Sequence, residues 1–352
     1  MKIPTSLVLL ASSKIKMKQH LDNKFQFSID RGGTFTDIHC ILPDGTEIVR
    51  KLLSEDPENY ADAPTEGIRR VLHEFDQDNG KKGQYDRGTK VYTGRIGSIR
   101  MGTTVATNAL LERKGERTGL LITKGFRDLL AIGNQSRQNI FDLTCAAPGL
   151  LYEDVKEVDE RVMLSYFFDK AIAGNANTEE YKDAHVDTFG SPKAGYGTRL
   201  KGVTGETVID MKKPNLELVR EQLEDFLNKG IKSVAIVLAH SYTYDEHEQM
   251  IGALANEMGF TEVSMSSKVM PMVRLVNRGH TACAAAYLTP KITTYLSSFR
   301  EGFDEALDDV MLTFMKSDGG LTPVDDFGGH QAILSGPAGK ILLDLFLFYL
   351  LY

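Results

Sequence analysis

The sequence predicts a mixed α/β protein with a partly parallel sheet. Three patterns predict it: a strand–turn–strand opening, a helical repeat directly after it, and alternating strand-like and helix-like runs further on. In the opening, Phe25, Phe27 and Ile29 alternate before Arg31-Gly32-Gly33, and Ile38, Cys40 and Leu42 follow before Pro43-Asp44-Gly45. Period-two alternation around a glycine turn makes a β-hairpin, and the second turn leads into a third strand, Glu47 to Leu53. Pro64 then opens a helix whose Ile68, Val71, Leu72 and Phe75 recur at helical spacing. Further on the runs read strand Gly119 to Thr123, helix Leu216 to Asn228, strand Ser233 to Ala239, helix Asp245 to Met258 and strand Val263 to Met265. A helical pattern resumes at Thr281, with Ile292, Tyr295, Leu296, Phe299 and Phe303 on one face after Pro290, and a strand Val310 to Met315 follows. Asp169 to Gly205 and Asp78 to Gly94 are polar, glycine-containing and aperiodic, and read as an exposed insertion loop and a shorter excursion.

Composition sets the class. The chain has 352 residues, 42% of them apolar and 25% charged, which is enough for two domains. A formal net charge of −7, with Lys and Arg scattered, offers no field to gather polyanions, so no nucleic-acid partner is expected. Cys40, Cys145 and Cys283 lie too far apart for a zinc motif or a disulfide framework, and a reducing cytosol is the expected location. The apolar run Leu7 to Ala11 is shorter than a signal-peptide core. The run Ile341 to Tyr352 falls short of the ~20 residues that span a bilayer and carries Asp344, so no membrane anchor is expected.

Four loops could hold an anion. At the hairpin tip stands Asp30-Arg31-Gly32-Gly33-Thr34-Phe35-Thr36-Asp37. Its paired glycines can bring bare N–H groups against a phosphate, its two hydroxyls can add donors, and a carboxylate at each end suits a hydrated Mg²⁺. A tight hairpin whose glycines serve only the turn is the plainer reading of Gly-Gly alone. The second loop, Met101 to Ala109, begins a helix running to Arg113-Lys114 and stopping at Gly115, with Thr103 as its N-cap and free N–H groups for a phosphate or a substrate carboxylate. The third and fourth are Ser317-Asp318-Gly319-Gly320 after a strand and Ser335-Gly336-Pro337-Ala338-Gly339 at a helix start, each an ordinary turn when taken singly. His240, His280 and His330 show no metal-ligand spacing and are given no catalytic role.

Together these motifs resemble the hydantoinase A/oxoprolinase family. DRGGTFTD at Asp30 to Asp37, RMGTTVATNALLERKGER at Arg100 to Arg117, GFRDLL at Gly125 to Leu130, SDGGL at Ser317 to Leu321 and LSGPAG at Leu334 to Gly339 come in the family's order. The runs Lys51 to Arg70 and Met270 to Pro290 are similar to its eukaryotic oxoprolinase branch. The resemblance implies an actin-like ATPase/sugar-kinase (ribonuclease H-like) fold with a first lobe and an incomplete second one. It implies ATP and Mg²⁺ as cofactors, 5-oxo-L-proline as the small-molecule substrate opened to L-glutamate in glutathione salvage, and a homo-oligomeric parent enzyme in the cytosol.

By the same resemblance Asp30 and Asp37 hold the metal and, with Asp318, serve catalysis. Gly32, Gly33, Thr34, Thr36, Gly319, Gly320, Gly336 and Gly339 hold the nucleotide, and Thr103, Thr104 and Asn108 line the substrate side. The expected organisation is a leader over 1–23, an N-terminal hydantoinase/oxoprolinase domain over 24–240 with its insertion at 169–205, the start of a hydantoinase A domain over 241–339, and an aberrant apolar tail over 340–352, with translation starting at Met17. Lys340 stands where the family has another glycine, and a second phosphate loop does not follow. The expectation is therefore a chain inactive by itself, with a non-catalytic truncated product or an ATP-dependent hydantoinase as the alternatives.

Overall fold

The structure, a computed structural model, describes residues 23–78, 89–134, 141, 148–165 and 197–338. The leader, the tail from Gly339 on, Cys145 and Met17 lie outside the described residues. The chain forms two compact units, one from Met1–Lys114 with Lys291–Tyr352 and one from Gly115–Pro290. The first unit is discontinuous because of pairing: a strand that follows Lys291 returns to the sheet that begins at Phe25.

In the first unit, β1 (Phe25–Arg31), β2 (Phe35–Ile41) and β3 (Glu47–Leu53) make the expected antiparallel meander. Helix α1 (Ala63–Asp78) follows, and β4 (Ile96–Thr103) then pairs with β1 in parallel. Far along the chain, β12 (Met311–Met315) pairs in parallel with the other side of β4, and β13 (Leu321–Pro323) closes the order β13-β12-β4-β1-β2-β3. Alternation on β1 sends Phe25, Phe27 and Ile29 into the core, where Ile38 and Cys40 of β2 and Ile68, Val71 and Leu72 of α1 are buried as well. Close packing of α1 on β2 depends on Gly67, where a Cβ would overlap Ile38 Cδ1.

The second unit is built on four parallel strands in the order β11-β10-β5-β6: β5 (Thr118–Thr123), β6 (Asp154–Val158), β10 (Ser233–Val237) and β11 (Glu262–Met265). Both β5 and β10 are buried throughout, as strands covered on two faces must be. Leu121, Val234 and Ile236 turn to a cluster with α3 (Leu216–Asn228) and α4 (Glu246–Glu257). Leu120, Ile122, Ala235 and Val237 turn the other way, to Ala282, Cys283 and Ala286 on α5 (Leu275–Glu301). A smaller sheet joins β7 (Arg161–Leu164), β9 (Thr207–Lys212) and β8 (Thr198–Lys201). Strand β8 corrects the insertion reading at its end: four residues expected in a loop pair with β9 from Thr198↔Asp210 to Lys201↔Thr207.

The second unit also buries two charged networks. His247 Nδ1 lies 2.8 Å from Glu160 Oε2 and its Nε2 lies 3.3 Å from Asp210 Oδ1, while Thr123 donates its hydroxyl to Glu160. Arg278 on α5 is fully buried; its Nε donates to Ser266 Oγ at 2.9 Å, and Ser266 donates onward to Glu248 Oε1 at 2.6 Å. Glu248 also receives the N–H groups of Leu238 at 2.9 Å and Ser267 at 2.8 Å. No helix among the described residues is long and apolar enough to cross a membrane.

Candidate functional site

The DRGGTFTD segment forms the β1–β2 hairpin, with Asp30 paired to Asp37 and Arg31 to Thr36 across the ladder. Gly32 N–H closes the turn on Phe35 O at 3.0 Å. Gly33 and Thr34 are exposed residues, and their N–H groups donate to nothing among the described residues. Two adjacent unengaged N–H groups on a glycine turn form the kind of concavity that accepts an anion.

Parallel pairing of β1 with β4 sets Asp30 beside Gly102. A Cβ at Gly102 would stand 3.3 Å from Asp30 Oδ1 and 3.6 Å from Ser335 O, so the bare glycine lets the β4 backbone lie close against the carboxylate, whose Oδ1 is buried. Helix α2 (Val105–Leu111) then carries Asn108, whose amide nitrogen would be 3.4 Å from a Cβ at Gly33. The second loop is anchored to the first where Thr104 N–H donates to Arg31 O at 3.0 Å and the Thr104 hydroxyl to the same oxygen at 3.3 Å.

Two expectations for α2 need correction. Its N-cap is Thr104, without a side-chain cap bond, and Thr103 Oγ instead accepts from Val105 N–H at 3.2 Å. The helix ends at Leu111, before Gly115: Arg113 takes the left-handed conformation at φ 56°, and Lys114 N–H returns to Ala109 O at 2.9 Å.

The fourth loop closes on the second. The hydroxyl of Ser335, fully buried, donates to Thr103 O at 2.7 Å or Ala332 O at 2.9 Å, and Thr107 Oγ donates to Ile333 O. Residues 335–338 are helical, as expected, and a Cβ at Gly336 would come within 2.7 Å of Thr104 Cγ2. Gly339 lies outside the described residues. Ser317, a residue given no role in the sequence analysis, ties the third loop to the fourth: its N–H and hydroxyl both reach Gln331 O, at 2.7 Å and 2.6 Å, and its Oγ accepts from Leu334 N–H at 3.0 Å. All four loops are therefore linked within the first unit, although 232 residues separate Ser335 from Thr103.

Three predicted residues are already engaged by other side chains or by their own turn, although Asp37 shares a face of the sheet with Asp30. Thr36 is fully buried, with its hydroxyl 3.0 Å from Ser54 Oγ. Asp37 is half-exposed, and Lys51 Nζ lies 3.1 Å from its Oδ1. Asp318 folds over its own turn, accepting Gly320 N–H at 2.8 Å with Lys316 Nζ at 3.1 Å; these two donors hold its carboxyl below the usual range, and Gly319 supplies the left-handed φ of 82°. Asp30, Gly33, Thr34, Gly102 and Asn108 thus make the centre of the arrangement, and Thr103, Thr104, Ser317, Ser335 and Gly336 hold its walls together. Sequence reading also missed Ser54, which only the β2–β3 register places opposite the loop. No group of three or more His, Cys, Asp and Glu among the described residues is placed to hold a metal. One carboxylate next to a turn whose residues Gly33 and Thr34 are exposed still fits a cation whose other ligands are water and phosphate oxygens.

Comparison with known proteins gives the context. The model of the hydantoinase/oxoprolinase N-terminal region matches residues 26–259, and the hydantoinase/oxoprolinase model matches 278–344. The chain is 51% identical over 323 residues to 5-oxoprolinase 1 of Arabidopsis thaliana, covering 92% of this chain and 23% of that protein. It is 47% identical to the 5-oxoprolinase of Dictyostelium discoideum, over 92% of this chain and 24% of that one. It therefore spans about a quarter of the length of the curated relatives it matches. Its fold is similar to that of part of the ATP-dependent caprolactamase from Pseudomonas jessenii, with a TM-score of 0.61 at 22% identity over 89% of this chain and 39% of that one.

Proposed function

The chain belongs to the hydantoinase/oxoprolinase family, and from that premise we propose that it carries the phosphate-binding lobe of an ATP-dependent 5-oxoprolinase. The lobe is read as actin-like. The observation that carries the reading is the meeting of the Gly32–Thr34 turn, Asp30, Gly102 and Asn108 in one unit. The relatives named 5-oxoprolinase support the substrate, 5-oxo-L-proline, and the product, L-glutamate.

Mg²⁺-bound ATP would supply a γ-phosphoryl group for the lactam oxygen, which makes the ring carbon a better target for water and ends in ring opening with release of ADP and phosphate. The work of this chain is positioning and charge compensation. Gly33 and Thr34 present fixed N–H donors to phosphate oxygens, and such preorganised dipoles need no reorientation as charge develops. The amide of Asn108 adds a side-chain donor beside the same turn. Asp30, which the β1–β4 pairing sets beside Gly102 and the turn, is the carboxylate assigned to the cation. Asp37 is not, because Lys51 already balances its charge. The hydroxyls of Thr104 and Ser335 keep the second and fourth loops in register with the turn.

Calorimetric titration of the chain with Mg²⁺-ATP tests the reading. Binding is expected in the wild type, with a loss of tenfold or more in Asp30→Asn at unchanged circular dichroism. Absence of binding, or equal affinity in the variant, would overturn it.

A further inference from the structure

We propose that Ser54 is a positioning residue that sets the orientation of the peptide planes in the Gly32–Thr36 turn. The inference rests on the reading of that turn as the phosphate cradle. Ser54 follows β3 directly, and because the last pair of the β2–β3 ladder is Phe35↔Leu53, it comes to stand opposite Thr34. It makes three contacts with the turn: its N–H donates to Thr34 O at 2.9 Å, its hydroxyl donates to Gly32 O at 2.7 Å, and its Oγ lies 3.0 Å from Thr36 Oγ.

The donor directions follow from proton counting. A serine hydroxyl has one proton, and here Gly32 O takes it. Thr36 must then be the donor to Ser54, so a relay runs from Thr36 through Ser54 to Gly32 O. Both hydroxyls are buried, with Ser54 5% and Thr36 0% exposed. The proton of Thr36 is thereby committed to the interior and is withdrawn from any ligand.

The consequence lies in peptide geometry. In a planar trans peptide the C=O and the following N–H point in opposite directions. Holding Gly32 O toward Ser54 therefore turns Gly33 N–H away from it, to the exposed side of the turn. Without the hydroxyl this plane is free to flip, since neither residue flanking it carries a Cβ. Ser54 thus reaches the ligand only through the backbone it fixes.

Three variants of the whole chain, Ser54→Ala, Ser54→Thr and Thr36→Val, test the proposal by ¹⁵N relaxation of the ligand-free protein alongside Mg²⁺-ATP and pyrophosphate titrations. Ser54→Ala is expected to lower the Gly33 order parameter from the rigid value of about 0.85 to below about 0.6. The β4 amides should stay rigid, and affinity for both probes should fall about tenfold. Ser54→Thr keeps the hydroxyl and should restore both readouts. Unchanged order at Gly33, or loosening spread over the whole sheet, would overturn the proposal. Selective loosening in a protein that binds neither probe would leave Ser54 as the holder of the turn and remove the phosphate reading instead. Should Ser54→Ala not fold, Thr36→Val, which keeps the bond from Ser54 to Gly32 O but removes the donor that orients it, is expected to lower the Gly33 order parameter by a smaller step, and an unchanged value would overturn the relay.

Discussion

Lys51 sits over the Phe35 ring, 5.0 Å from its centroid, and reaches Asp37 Oδ1 at 3.1 Å, so the second carboxylate of the DRGGTFTD segment is already engaged. A half-exposed pair of this kind is worth at most about 1 kcal/mol to the fold. Its influence on the site is one of sign, since a carboxylate beside an ammonium attracts a cation poorly. Asp37→Asn is therefore expected to leave Mg²⁺-ATP affinity within about twofold, whereas Asp30→Asn loses tenfold or more, a gap of at least ~1 kcal/mol. Parallel titrations of the two variants decide it, and equal losses would return Asp37 to the metal.

The fit of α1 on β2 gives a stability prediction. Gly67→Ala gains about 1 kcal/mol of helix propensity but drives a methyl into the buried Ile38, and overpacking of this kind costs about 1–3 kcal/mol. Net destabilisation of about 1 kcal/mol is expected from urea unfolding. The double variant Gly67→Ala/Ile38→Val should recover part of it.

Arg278 gives a larger effect. Its guanidinium is wholly buried, bonded to Ser266 Oγ and Met272 O, each at 2.9 Å, and to Leu238 O. Arg278→Met removes the only cation in this relay and leaves the Glu248 carboxylate uncompensated, a change that costs about 3–5 kcal/mol. Adding Glu248→Gln should return a measurable share of that loss, and a double-mutant cycle on the unfolding free energies would measure it.

Two thiols are protected by burial, which pushes the Cys40 and Cys283 pKa values up to about 12. Neither should react with a thiolate-selective reagent at pH 8 until denaturant is added, as peptide mapping of the labelled sites would check. Stability follows the same shift. The folded state holds these groups protonated while the unfolded chain ionises near 9.0, so their contribution is intact below pH 9 and is lost as pH climbs from about 9 towards 12.

Elements defined by their own periodicity were legible in the sequence. The helix Leu216–Asn228 and the strand Glu47–Leu53 are found within the bounds expected of them, because amphipathic spacing and turn residues are local signals. Loop identity was legible for the same reason. Loop orientation was not, since it depends on bonds between residues far apart in the chain: Thr36 meets Ser54 over 18 residues, and Thr107 meets Ile333 over 226. A hydroxyl in a glycine-rich segment looks equally suited to a ligand or to the interior, and burial alone sends Thr36 inward. The end of α2 was misread because Gly115 looked like the stop signal, whereas Arg113 takes the left-handed turn two residues earlier. Strand β8 was missed because four residues, Thr-Arg-Leu-Lys, carry too little alternation to stand out from a polar stretch.

The position of β4 between β1 and β12 sets an order for synthesis on the ribosome. The second unit is continuous in the chain, from Gly115 to Pro290, and all its strands have been made before translation reaches Lys291. The first unit is discontinuous, and one side of β4 waits with its hydrogen-bonding groups unpaired until Met311–Met315 emerges. At roughly 5–20 residues per second, the stretch from Lys291 to Met315 takes on the order of one to five seconds to make, long compared with the folding of many small domains. The nascent protein therefore passes through a stage in which its younger half is finished and its older half is open, with the Gly33 turn already formed by neighbours but the Ser335 clasp on Thr103 still to come.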